Sequence, residues 1–228
     1  MEIQDEEGME VKGIRKSYQK KEVLKDVSFL AKTGQCIGIL GGNGSGKSTL
    51  LSILAGIQRA DRGSFLWEGE DLFGKPGLRE RLVGYVPQGT PLLEELTAWD
   101  NLRLWYEKDQ LRKELRDGAL AMLGIPEFLK TPVRKLSGGM KKRLTIGCAI
   151  ANRPKLLLLD EPSAALDLVC KESIADYLKE FKRQGGMILL ATHDVQELAL
   201  CDAWYVLKEG VLVPYDYDGD IHRLAGFL

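Results

Sequence analysis

Gly41-Gly42-Asn43-Gly44-Ser45-Gly46-Lys47-Ser48 sets glycines, a lysine and a hydroxyl in the spacing G-x-x-x-x-G-K-[ST]. Phosphate chemistry needs that order. The glycines let the backbone curl until successive N–H groups point inward at phosphate oxygens. Lys47 then reaches the outer phosphates, and the Ser48 hydroxyl can ligate Mg²⁺. A dinucleotide fingerprint, G-x-G-x-x-G, does not fit: counted from Gly42 its last position is Lys47, and from Gly44 it is Thr49.

A second cluster follows the apolar run Leu156-Leu157-Leu158-Leu159, which ends in Asp160-Glu161-Pro162. Adjacent residues of a strand face opposite sides, so the two acids are expected to do different jobs. Asp160 is placed to hold Mg²⁺, directly or through water. Glu161 is placed to orient or deprotonate an attacking water, as phosphoryl transfer requires.

The elements that must position these residues alternate in type. Residues 9–14, 23–30 and 64–67 read as short strands bounded by Gly or charge, and 36–40 as a strand covered on both faces. The Gly-rich turn then opens a helix over 48–57. Residues 91–151 change to helix. Thr97 with Asp100 resembles a capping box for 98–108. Asp109 is expected to cap 110–123, with Leu111, Leu115 and Met122 on one side and Gly124 as the stop. A further helix is expected over 138–151. Strands over 155–159, 187–191, 203–208 and 211–213 alternate with helices over 168–183 and 195–200. Such alternation predicts a parallel sheet with helices on both faces, and the sheet strands resume after the helical middle, which is therefore an inserted subdomain.

Several further stretches stand in order around these two clusters: Gly84-Tyr85-Val86-Pro87-Gln88, Leu136-Ser137-Gly138-Gly139-Met140, Ser163-Ala164-Ala165-Leu166-Asp167, Thr192-His193-Asp194, and Tyr18 upstream. Together they resemble the nucleotide-binding subunit of ATP-binding cassette (ABC) transporters over nearly the whole chain. Gln88 matches the Q-loop, Ser137–Met140 the signature LSGGQ, Asp167 the D-loop, His193 the switch histidine and Tyr18 the aromatic that stacks on adenine. Met140 departs from the usual Gln, with little loss expected because Ser137 and the glycine N–H groups face the phosphate.

The resemblance implies an α/β P-loop NTPase fold with a mostly parallel core sheet, an N-terminal antiparallel β subdomain and an inserted helical subdomain. Residues 1–228 would form one ABC ATPase domain, with about 1–90 and 152–228 supplying the core sheet and β subdomain and about 91–151 the helical part. ATP would be held by Tyr18, Gly41, Gly42, Asn43, Gly44, Ser45, Gly46, Lys47, Ser48 and Thr49. Mg²⁺ would be held by Ser48, Gln88 and Asp160, with Glu161, His193 and Gln88 as the catalytic set. Ser137, Gly138, Gly139 and Met140 would act on the nucleotide of another subunit. The implied partners are a second cassette, of the same or a different chain, and transmembrane permease subunits on a separate chain. ATP hydrolysis would then power transport, from a cytoplasmic position on the inner face of the membrane, with an export-type prokaryotic system favoured by analogy.

Composition narrows the alternatives. In 228 residues, hydrophobic types make up 44% and charged types 29%, which suits one folded domain with a continuous core. Lys plus Arg number 32 against 33 acids, a net charge of −1, so the basic excess of a nucleic-acid binder is missing. That weakens a soluble ABC ATPase acting on nucleic acid or the ribosome, as does the lack of a coiled-coil insertion or second cassette. A small-molecule kinase would leave 136–140 without a role. No apolar run approaches the ~18 residues of a membrane helix. The acidic N-terminus (Glu2, Asp5, Glu6, Glu7) does not suit a secretory leader. Cys36, Cys148, Cys170 and Cys201 show no metal-site spacing and are expected to be reduced thiols.

Three features are expected to be ordinary. Asp216, Asp218 and Asp220 mimic a calcium loop, but Ile221 stands where glycine is needed. Lys141-Lys142-Arg143 is expected to form a solvated helix face. Trp99, Trp105 and Tyr106 are expected to pack the helical subdomain or, alternatively, to line a groove that grips a transmembrane partner, and His222 to lie on the surface.

Overall fold

The computed structural model describes residues 8–19 and 21–227. The N-terminal acids and Leu228 lie outside the described residues. In chain order the elements are β1 (Gly8–Tyr18), β2 (Lys21–Lys32), β3 (Cys36–Leu40), α1 (Lys47–Ala55), β4 (Arg62–Trp67), β5 (Glu70–Asp71), α2 (Pro76–Leu82), β6 (Val83–Val86), α3 (Ala98–Arg103), α4 (Lys108–Asp117), α5 (Ala119–Met122), α6 (Gly138–Ala149), β7 (Leu156–Asp160), α7 (Leu168–Arg183), β8 (Met187–Ala191), α8 (Val195–Leu198), β9 (Ala203–Lys208), β10 (Val211–Tyr215) and α9 (Ile221–Phe227).

Two sheets result. The larger has the order β10-β9-β3-β8-β7-β6, parallel throughout except for the antiparallel β10–β9 pair. The smaller, β2-β1-β4-β5, is antiparallel. They meet where the Lys25 N–H donates to Gly210 O. β3, β7 and β8 are buried at every position. Strand alternation sends Leu157 and Leu159 into one core, with the α6 and α7 side chains. Leu156 and Leu158 enter the other, with α1 and the small sheet. This two-sided burial explains why these strands read as unbroken apolar runs.

The helical middle departs from expectation. The capping box forms: the Asp100 N–H donates to Thr97 Oγ1, and the Thr97 N–H to Asp100 Oδ2, both at 3.2 Å. But α3 stops at Arg103 and does not continue to residue 108. Tyr106 turns into the core, where its hydroxyl donates to Gly147 O at 2.7 Å, and that tertiary contact overrides helix propensity. α4 starts after Glu107, so Asp109 lies in its first turn and is not its cap. The helix breaks again at Gly118, which is extended. The break shifts the apolar face: Leu120 and Leu123 are buried, whereas Met122 is exposed. Trp105 is exposed as well, in contrast to Tyr106 and the half-buried Trp99.

Sequence reading also missed α2, β6 and α9. Among the described residues no helix is long and apolar enough to cross a membrane, and the four cysteines are free.

The two-sided sheet makes a specific prediction. Leu157→Ala and Leu158→Ala point into opposite cores, and each should cost ~2–5 kcal/mol in urea unfolding. A near-neutral result for either would mean that its face of the sheet is not covered.

Candidate functional site

Backbone pairing gathers the site before any side chain acts. Ile39 of β3 pairs with Ala191 of β8, and Ala191 pairs with Asp160 of β7, so the three strands end in one row. Immediately beyond this row come Gly41, His193 and Glu161. β6 aligns Val86 with Leu159 and thereby delivers Gln88 to the same end.

The loop after β3 is built by its glycines and closed by its lysine. Gly46 has φ 112°, and a Cβ there would lie 3.0 Å from Leu24 and 3.1 Å from Val23, so no larger residue fits. Gly46 also precedes α1 without any side-chain cap, leaving the first helical N–H groups of Lys47, Ser48 and Thr49 directed into the loop. Lys47 is buried, and its ammonium donates to Gly41 O at 2.6 Å and Gly42 O at 3.2 Å. Gly42, Asn43 and Gly44 form the exposed rim, and the Ser45 hydroxyl is buried beneath them against Gly41, without a partner. The result is a positive, N–H-lined concavity that suits an anion.

The acid pair divides, but not by strand alternation, because β7 ends at Asp160 and Glu161 lies beyond it in a left-handed conformation. Asp160 is buried beside the Ser48 hydroxyl; burial raises its pKa, outweighing the opposing pull of Ser48. Glu161 is half-buried. Its N–H donates to Ala191 O at 2.8 Å, and its backbone takes the left-handed φ of 48°. Gln88 Nε2 donates to Glu161 Oε2 at 2.9 Å, and His193 Nε2 lies 3.8 Å from Oε1. Burial and then the Lys47 charge push the His193 pKa down, so at neutral pH the imidazole is uncharged beside the carboxylate. Burial lowers the Lys47 pKa too, against the pull of Glu161 and Asp160.

Other predicted residues lie apart from this cluster. Ser137 caps α6 by accepting from the Met140 N–H at 3.2 Å, and Gly138 is exposed beside it. A Cβ on Gly139 would sit 2.3 Å from Cys170 Sγ, so the start of α6 packs directly on the start of α7. Asp167 caps α7 through the Cys170 N–H at 2.9 Å. Among the described residues no hydrogen bond joins 137–140 to the loop 41–49. Tyr18 also stands off: its exposed ring receives Lys16 Nζ at 5.5 Å, and its hydroxyl donates to Gln58, beyond the far end of α1.

The solvated face expected of Lys141-Lys142-Arg143 is not observed. Lys141 pairs with Glu94 at 2.9 Å, whereas Lys142 and Arg143 are only 5% and 6% exposed. Lys142 Nζ donates to Pro87 O and Gln88 O, and Arg143 donates to Leu123 O while stacking on Phe128. A charge run gives no local sign of this, because the acceptors are backbone carbonyls from distant segments. Sequence reading also passed over Glu197, which is buried beside Thr192; the Thr192 hydroxyl donates to it, and burial raises its pKa.

The chain is similar throughout to proteins of one family. The ABC transporter family model (ABC_tran) matches residues 24–164. The linearmycin resistance ATP-binding protein LnrL of Bacillus subtilis (strain 168) is 31% identical over 96% of this chain and 72% of its own length. The lipopolysaccharide export system ATP-binding protein LptB of Haemophilus influenzae is 32% identical over 88% of this chain and 86% of its own. Among solved structures, the dimeric post-hydrolysis state of the ATP-binding cassette MJ0796 bound to ADP and Pi superposes with a TM-score of 0.81. It is 28% identical and covers 90% of this chain and 96% of that one. A nucleotide-free cassette from an ABC transporter gives 0.83 at 25% identity, over 96% and 95% of the two chains. With its P-loop NTPase fold, the chain belongs to the ABC transporter family and is an ATPase of that family.

Proposed function

We propose that this chain is the ATP-binding and ATP-hydrolysing subunit that powers transport of a substrate across a membrane through a separate transmembrane partner. The carrying observation is that one chain presents two anion-seeking helix ends, at Gly46 and at Ser137, with no hydrogen bond between their loops among the described residues. In this reading two cassettes face each other, and the γ-phosphate held by one loop completes the signature of the other. Because one chain carries both halves, two copies suffice. The dimeric form of the MJ0796 cassette supports this arrangement.

Within each site the residues act by position and charge. The loop N–H groups and Lys47 bind the β- and γ-phosphates, and Thr49 continues the N–H array at the start of α1. Tyr18 offers a ring face to adenine. Glu161 accepts the proton of the attacking water, while Gln88 and the neutral His193 fix the orientation of its carboxylate and of the γ-phosphate. The donor set fits Mg²⁺: Asp160 lies beside the Ser48 hydroxyl, and the bond from Gln88 Nε2 to Glu161 leaves the amide oxygen of Gln88 for the metal. Hard oxygen donors of this kind, completed by phosphate and water, are what Mg²⁺ prefers. When bound, it would neutralise phosphate charge.

Phosphate loss leaves Lys47 and both helix ends without their shared anion, which favours reopening and converts hydrolysis into a population shift. Exposed apolar Leu93, Leu104 and Trp105 of the 91–151 segment are offered to the transmembrane partner, reached from the cytoplasmic side. The export-named relatives, including Nod factor export ATP-binding proteins, support an export system.

Glu161→Gln should bind Mg-ATP normally, hydrolyse it at least ~10²-fold more slowly, and elute as a dimer on gel filtration with ATP. Normal turnover would refute the role given to Glu161. Ser137→Arg should spare ATP binding and abolish turnover; loss of binding in the isolated chain would instead mean that the signature serves its own nucleotide. Chelating Mg²⁺ with EDTA should stop hydrolysis, and activity that survived it would remove Asp160 and Ser48 from the mechanism.

A further inference from the structure

Lys142 is a buried cation in a place where a helix face would ordinarily be wet or apolar. Its side chain leaves α6 and ends on two carbonyl oxygens, Pro87 O at 2.9 Å and Gln88 O at 2.8 Å. Burying an ammonium is costly unless acceptors and counter-charges receive it. Here the carbonyls supply the first, and Asp160, Glu197 and Glu161 the second. The residue it grips is the one whose side chain reaches Glu161, through Gln88 Nε2 at 2.9 Å. Ser137 caps the same helix, about 7.5 Å away along its axis. A short polar relay therefore runs from the signature helix, through Lys142 and the main chain of Gln88, to the carboxylate beside the water-activating position.

We propose that Lys142 is a positioning residue that makes the placement of Glu161 in one subunit depend on how that subunit's own signature helix is seated on its neighbour's nucleotide. This rests on the two-copy reading given above. A helix seated on the partner's phosphate holds the carbonyls of 87 and 88 in place, and the Gln88 amide then holds the carboxylate. A helix that is not seated lets the Q-loop drift and leaves Glu161 without its orienting donor. Hydrolysis in one site is thereby conditional on nucleotide in the other. Lysine suits the task because its ammonium presents three donors from one point and can bridge two successive carbonyls.

The test uses the full chain with Mg-ATP. Lys142→Met keeps the length of the side chain and removes its donors. It should lower kcat about 10- to 100-fold, as a displaced catalytic group does, with KM for ATP unchanged within about threefold. Lys142→Arg, which keeps charge and donors, should return most of the lost turnover. A second measurement reads the coupling itself. In the Glu161→Gln chain, Mg-ATP should slow amide hydrogen exchange over residues 86–90. Adding Lys142→Met should abolish that slowing while the ATP-dependent dimer still forms on gel filtration. Full kcat in Lys142→Met, equal slowness in Lys142→Arg, or a loop still protected in the double variant would each overturn the role of Lys142. Should Lys142→Met unfold at the assay temperature, Lys142→Leu, which likewise removes the donors, is read by the same two measurements and the same criteria. Failure of the Glu161→Gln chain to pair would instead defeat the two-copy reading, and the inter-subunit linkage with it.

Discussion

The parallel pairing of β3, β8 and β7 is the constraint from which the site follows. Because the three strands run the same way and end in register at Ile39, Ala191 and Asp160, whatever follows each of them emerges at one edge. The loop 41–48 lies more than a hundred residues before the acid pair and His193, yet the three need no adjustment to meet. Covering both faces of the sheet is what holds that register. A one-residue slip of β7 would exchange Leu157 and Leu159 with Leu156 and Leu158, and would turn Asp160 away from Ser48.

Charge sets the second condition. Asp160 and Glu161 stand beside a loop that suits a polyanion, with Lys47 and Lys142 as the buried cations nearby. Two unit charges 4 Å apart near a protein surface interact by about 4 kcal/mol, so two carboxylates facing a triphosphate would repel it strongly. A divalent cation held by Asp160 and Ser48, as proposed above, would offset that repulsion. Nucleotide and metal are therefore expected to bind as one unit, and the neutral His193 adds a hydrogen-bonding group without adding charge.

Much of this was legible because the signals were local. The loop 41–48 is a spacing, the caps at Thr97 and Ser137 are decided within three residues, and the apolar runs of β3, β7 and β8 reflect burial on both sides. The misreadings have the opposite character. Tyr106 ends α3 by bonding to Gly147, and Lys142 is buried by carbonyls of residues 87 and 88; neither partner is within reach of a helical or strand period. β6 is only four residues long and contains Gly84, so it carries almost no pattern, although it delivers Gln88. Pairwise contacts between distant segments were the missing information, and in the case of Lys142 they changed a surface charge into part of the site.

The left-handed backbone at Glu161 carries a cost of its own. A side chain with a Cβ gives up about 1–2 kcal/mol to sit at such an angle, whereas glycine would rest there and asparagine would object less. Evolution towards greater heat resistance would meet a conflict at this single position, since the substitutions that relax the chain also delete the carboxylate proposed as the base. Thermostable descendants of this sequence should therefore gain their robustness elsewhere and keep the strained glutamate as a fixed expense of turnover.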